Sequence, residues 1–65
     1  MAIPGRELRV ERLLAEVSVV AIAARMKLSR QALWALERSA SVSPERAQQY
    51  RQALRDVMKA SGEAA

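Results

Sequence analysis

The chain has 65 residues, with eleven Lys and Arg against seven Asp and Glu, a net charge of +4, and neither cysteine nor histidine. A domain of this size buries only about 60% of the surface its unfolded chain exposes, so it is marginal alone and gains from pairing with a second copy. No disulfide can staple it, the usual zinc ligands are missing, and a serine nucleophile would lack its histidine base. The glycines, Gly5 and Gly62, are too far apart to build a phosphate-binding loop. An enzyme, a metal centre and a bound cofactor are therefore not expected.

The longest apolar run, Val17 to Ala24, is interrupted by Ser18. It falls short of the roughly 20 apolar residues of a spanning helix. The opening Met-Ala-Ile-Pro-Gly-Arg lacks the apolar core of a signal peptide. The expectation is a soluble cytoplasmic protein with no membrane partner, and the lack of cysteine fits a reducing compartment. Charge is unevenly spread. Arg6, Arg9 and Arg12 balance Glu7, Glu11 and Glu16, whereas Arg25, Lys27, Arg30 and Arg38 face only Glu37. A positive middle third suits a polyanion, although a solvated basic face gives the same count.

In chain order, Pro4 and Gly5 end an irregular start, with residues 1–4 expected to fray. A first helix is predicted over 6–16, with Val10, Leu13, Leu14 and Val17 as its apolar face. Ser18 is a capping residue for a second helix over 19–26. That segment is ambiguous: Val19, Val20 and Ile22 favour a strand, while the alanines and the Ile22–Met26 spacing favour a helix. Helix is preferred because both neighbouring segments are helical. Ser29 caps a third helix, 29–38, with Leu33 and Leu36 turned inward. Ser43-Pro44-Glu45 combines a capping serine, a proline at the first helical position and an early acid. It opens a fourth helix over 44–59, along which Ala47, Tyr50, Leu54 and Val57 keep helical spacing, with Met58 beside them. Residues 61–65 are expected to fray. The fold class is thus all-α, a four-helix domain over residues 1–65 with a central helix-turn-helix.

The segment VVAIAARMKLSRQALWALER, residues 19–38, holds a small residue, Ala23, where two helices must approach, with Ile22, Met26, Leu28, Leu33 and Leu36 to seal them. From Arg12 to Leu54, about two-thirds of the chain, the sequence resembles the lambda-repressor/Cro-like, or XRE-type, helix-turn-helix family. The strongest local match is LSRQALWALER, residues 28–38, followed by the Ser43-Pro44 helix start. Three features depart from the family pattern. Lys27 stands where glycine is frequent, in a turn whose positive φ costs a lysine about 1 kcal/mol or more. Val19 stands where a polar, phosphate-touching residue is usual. No full fifth helix follows.

The resemblance implies a transcription regulator, chiefly a repressor of the compact kind frequent in mobile genetic elements, bound to double-stranded DNA without a small-molecule effector. The third helix would enter the major groove, with Arg30, Gln31, Trp34 and Ala35 towards the bases. Arg30 suits guanine, Gln31 suits adenine, and Ala35 suits a thymine methyl. Trp34 either touches DNA or folds back on the protein. Ser18, Arg25, Lys27, Ser29 and Arg38 are candidate phosphate contacts, with capping and idle surface charge as the alternatives. Arg12 and Glu37 match a structural ion pair of the family. The length of the fourth helix makes Leu54, Val57 and Met58 the expected face of a homodimer, with recognition helices about 34 Å apart, one turn of DNA. Rival expectations are a protein-interaction module, such as an anti-activator or antitoxin, and a DNA-bending recombination factor.

Overall fold

Caps and turns divide the chain into four helices in the computed structural model, which describes residues 1–64, with side chains to Ala60. These are α1 (Gly5–Leu14), α2 (Val19–Met26), α3 (Arg30–Arg38) and α4 (Pro44–Ala64). The all-α expectation holds, and the β-branched start of α2 is helical. Three serines act as N-caps. Ser18, Ser29 and Ser43 accept from the amides of Ala21 at 3.2 Å, Ala32 at 3.1 Å and Arg46 at 3.2 Å. Each satisfies one donor that the first turn leaves without a partner.

The ends of α1 and α2 share one device. At α1 the Val17 amide bonds to the Arg12 carbonyl and the Glu16 amide to the Leu13 carbonyl. At α2 the Leu28 amide bonds to the Ala23 carbonyl and the Lys27 amide to the Ala24 carbonyl. This is the Schellman pattern, which needs a left-handed residue at the turn. Glu16 and Lys27 fill those places, both at φ 58°. The positive φ expected at Lys27 is present, and the one at Glu16 was not foreseen. It stops α1 at Leu14 rather than at residue 16.

Two termini differ from expectation. Residues 1–4 do not fray as a unit: Ile3 forms an antiparallel bridge with Val42, the Ile3 amide reaching the Val42 carbonyl at 3.1 Å and the Val42 amide returning at 2.6 Å. At the other end α4 continues past Lys59 to Ala64. A single glycine at 62 costs a helix only about 1 kcal/mol relative to alanine, so it need not stop one. Of the tail expected to fray over 61–65, residues 61–64 thus continue the helix, and Ala65 lies outside the described residues.

The core contains Leu8, Ile22, Ala23, Leu33, Val42, Ala47, Tyr50, Ala53 and Leu54, with Met26, Leu28, Leu36 and Val57 packed at its edge. α2 packs on α3 and α4, and α1 packs on α3 and α4. The expected apolar face of α1 needs correction. Val10, Leu13 and Leu14 are exposed, and only Val17 of the four packs against the core. The inward line is Gly5, Leu8 and Arg12. A hydrophobicity pattern places Arg12 outside and so selects the opposite face.

Arg12 is inside because two partners wait for it. Its Nε donates to Glu37 Oε2 at 2.8 Å and its Nη2 to Glu37 Oε1 at 3.1 Å. Nη1 reaches the Val17 carbonyl at 3.0 Å, and the buried Tyr50 hydroxyl donates to Glu37 Oε2 at 2.7 Å. The expected Arg12–Glu37 pair is therefore the centre of a network joining α1, α3 and α4. Removing one partner of a buried pair costs about 3–5 kcal/mol. That is comparable to the whole stability of a domain this size, at about 0.05–0.15 kcal/mol per residue. A second, more exposed pair, Arg51 with Glu11 at 2.7 Å, ties α4 to α1. Hydrogen bonding to Glu11 holds the Arg51 guanidinium above its ordinary range.

Burial, then the bond to Glu37, pushes the Tyr50 phenol well above its ordinary value. The folded state thus prefers the neutral phenol. Its contribution is complete below the unfolded value of about 10 and is lost as pH rises above it. Denaturant melts between about pH 9 and 11.5 should show stability falling with pH. Tyr50→Phe should flatten that slope, and an equal slope in the variant would contradict this account. Lys27→Gly should raise stability by up to about 1 kcal/mol, through relief of the left-handed strain less the entropy of an added glycine. Lys27→Ala, which keeps the strain, should show no such gain in thermal melts.

Candidate nucleic-acid interface

α3 is short, capped at Ser29 and sharply two-sided. Leu33 and Glu37 are buried and Leu36 is half-buried, whereas Arg30, Gln31, Trp34, Ala35 and Arg38 are exposed. At 3.6 residues per turn these exposed residues fall on one side of the helix. α2 packs across the inner side through Ile22 and Ala23, which fixes how far α3 projects. All four candidate base-contacting residues, Arg30, Gln31, Trp34 and Ala35, thus share one open face, with Ser29 at its start and Arg38 at its end.

Trp34 neither folds into the core nor stands alone. It is 44% exposed, and the Arg30 guanidinium carbon lies 5.9 Å from its ring centroid. This is a cation–π contact between residues one helical turn apart, worth about 0.5–1 kcal/mol at exposed sites. It holds the Arg30 fork at the rim of the face. Trp34 also lines a cleft with Arg9, Arg12, Glu37 and Arg38.

Arg9 is a basic residue beside this face that the sequence reading missed. The signal was available: once Arg12 is paired with Glu37 on α3, Arg9 lies one turn earlier on nearly the same side of α1. Arg25 and Lys27 are exposed but separate from the α3 face. They line an open groove between the end of α2 and α4, shared with Arg46 and with the acids Glu45 and Asp56. Ser18 and Ser29 are both occupied as caps. Capping leaves other first-turn amides of each helix pointing outward, where an anion can approach. Val19 is half-buried against the core and offers no polar anchor.

The expected dimer face does not survive intact. Leu54 is only 7% exposed and belongs to the protein's own core. Val57 is half-buried against that core, and Met58 alone of the three is well exposed. Leucine at position 54 continues the inward line of Ala47 and Tyr50, so the fold itself consumes it. Among the described residues no helix is long and apolar enough to cross a membrane.

No protein-family model, curated protein or solved structure matches the chain.

Because Trp34 is the only tryptophan, its environment can be read directly. Trp34→Ala should cost less than about 1 kcal/mol, as expected for a half-exposed side chain held mainly by one cation–π contact. In a double-mutant cycle, Arg30→Ala with Trp34→Ala should give a stability coupling of about 0.5–1 kcal/mol. Strict additivity would remove the contact.

Proposed function

We propose that the chain is a sequence-specific, double-stranded DNA-binding transcription regulator of the lambda-repressor/Cro-like type. In this reading it is a cytoplasmic repressor that occupies an inverted-repeat operator as a homodimer. It catalyses no reaction, and its occupancy follows its own concentration and salt rather than an effector. The observation that carries the reading is the sidedness of α3. Its two leucines and its one acid, Glu37, are turned inward, and its outward face holds Arg30, Gln31, Trp34, Ala35 and Arg38 with no carboxylate among them.

A helix of this kind fits the major groove, with residues near its N-terminus towards the base edges. Arg30 offers a planar fork that matches the two acceptors of guanine, pre-set by the Trp34 ring. Gln31 offers one donor and one acceptor, the complement of adenine. Ala35 lets the helix sit close and suits a thymine methyl. Arg38 and Arg9 flank the face as phosphate contacts, together with the first-turn amides of α2 and α3. Arg25 and Lys27 stand on a different wall and add long-range attraction more than fixed contacts.

A protein-interaction module is the second reading. It is favoured by the half-buried Val19 at the start of α2, where a phosphate anchor would be polar, and by the exposed Trp34.

Gel shifts on the promoter of the protein's own gene and its neighbours, across salt, test the proposal. Gln31→Ala should cost about 1–3 kcal/mol at a cognate site and relax base preference at one position. Arg38→Ala should weaken all sequences alike and lower the salt slope by about 1. No binding to any duplex at low salt would sink the regulator reading in favour of the module. Unchanged site preference in Arg30→Ala and Gln31→Ala would show that another face reads the bases.

A further inference from the structure

α1 carries two opposed faces. Leu8 and Arg12 mark the inward line, and Val10, Leu13 and Leu14 lie half a turn away from it. These three residues are 51%, 49% and 81% exposed. Nothing in the described chain covers them, and α4 and α3 already occupy the two inner flanks of α1. Three aliphatic side chains on ten residues of one helix form an apolar stripe in a protein that is otherwise basic.

We infer that this stripe is the face on which a second copy of the chain docks, with the two α1 helices antiparallel about a two-fold axis. A two-fold interface must be complementary to itself, and the stripe meets that condition. With the axis level with Arg12, Val10 meets Leu14 of the second copy. Glu16 of that copy, just past the end of its α1, comes to the N-terminal end of the first helix, which carries Arg6 and Arg9. Arg6, Arg9 and Glu16 are all exposed; Arg6 extends the stripe towards the start of α1, Arg9 lies on one flank of it, and Glu16 follows two residues past the end of the helix. Each end of the pair therefore brings one carboxylate towards a basic helix start. Glu7 lies on the other flank, near Arg51.

Area bounds the size of the contact. The three residues expose about 300 Å² together, at the lower edge of what the largest functional patches on monomers show. Two stripes supply about 600 Å², and the stems of the flanking arginines bring the total towards the roughly 1,000 Å² of a weak but specific interface. An interface at this lower bound is of the weak, transient class, and the pairing is looked for at about 1–100 µM and above.

The axis has a further consequence. It runs across both α1 helices within the contact plane, so each flank of the stripe stays on its own side of the pair. The Arg9 flank borders the cleft beside Trp34 on α3. Both copies accordingly present their α3 side to the same side of the pair. Docking itself is independent of the regulator reading, because it is measured without DNA.

Sedimentation equilibrium on the full chain, from about 1 µM to about 1 mM, decides the matter. The wild type should show a monomer–dimer equilibrium. Leu14→Glu should raise the dimer Kd at least tenfold with an unchanged circular dichroism spectrum, because that side chain is mostly in solvent. Glu16→Arg alone and the Arg6→Glu, Arg9→Glu chain alone should each associate more weakly than wild type, and a mixture of the two should recover association. A wild type that stays monomeric throughout, a Leu14→Glu chain that pairs as tightly as wild type, or reversed chains that do not complement each other would overturn the inference. Loss of the dimer in Met58→Glu but not in Leu14→Glu would overturn it too, by moving the interface to α4.

Discussion

The fold depends on a carboxylate that three helices share. Glu37 sits at the end of α3, buried, and receives a two-pronged guanidinium from α1 and a phenol from α4. A buried charge costs several kcal/mol to desolvate and is tolerated only when its lone pairs are engaged. Here each of its two oxygens accepts at least one donor, and no described buried side-chain polar atom is left without a partner. Apolar packing alone would let short helices slide or roll, since such contacts are not directional. The network supplies direction, fixing the rotation of α1, α3 and α4 about their own axes. The open face of α3 is the other half of that fixed rotation.

Much of this was legible in the sequence because the helices announce their boundaries chemically. Ser18, Ser29 and Ser43 mark three starts, and the Ser43-Pro44-Glu45 sequence admits little else. The α3 pattern was legible because Leu33 and Leu36 set an inward line that leaves Arg30, Gln31, Trp34 and Ala35 outside. The Arg12–Glu37 pair was reached through family resemblance rather than spacing, since nothing local connects residues 25 positions apart. Its third member, Tyr50, counted merely as an apolar core residue in the sequence.

The rest was not legible, for separate physical reasons. The pattern of α1 selects the wrong face because a buried arginine breaks the rule that charge points outward, and the three outward aliphatics then complete a false stripe. Leu54 reads equally as core or as dimer face, because helical spacing tells which residues are aligned but not which way the line points. Glu16 carries no local sign of its left-handed backbone, as glycine would. Arg51–Glu11 and Ile3–Val42 join distant segments and could emerge only once the helices were placed. Arg9 had a cue, but using it required first knowing that Arg12 faces α3.

Gly5 shows how a residue with no side chain governs distant geometry. A Cβ there would stand 2.8 Å from the Glu37 carbonyl group and collide with the Leu36 carbonyl. The Gly5 amide donates to the Ser39 carbonyl at 2.8 Å, just past the end of α3. The first turn of α1 therefore abuts the tail of α3 as a mechanical stop. Even an alanine at position 5 would push on that tail, and a rigid nine-residue rod passes the push to its opposite tip. The aim of Arg30 and Gln31 is in this sense set from the far end of their helix, by an atom the protein leaves out.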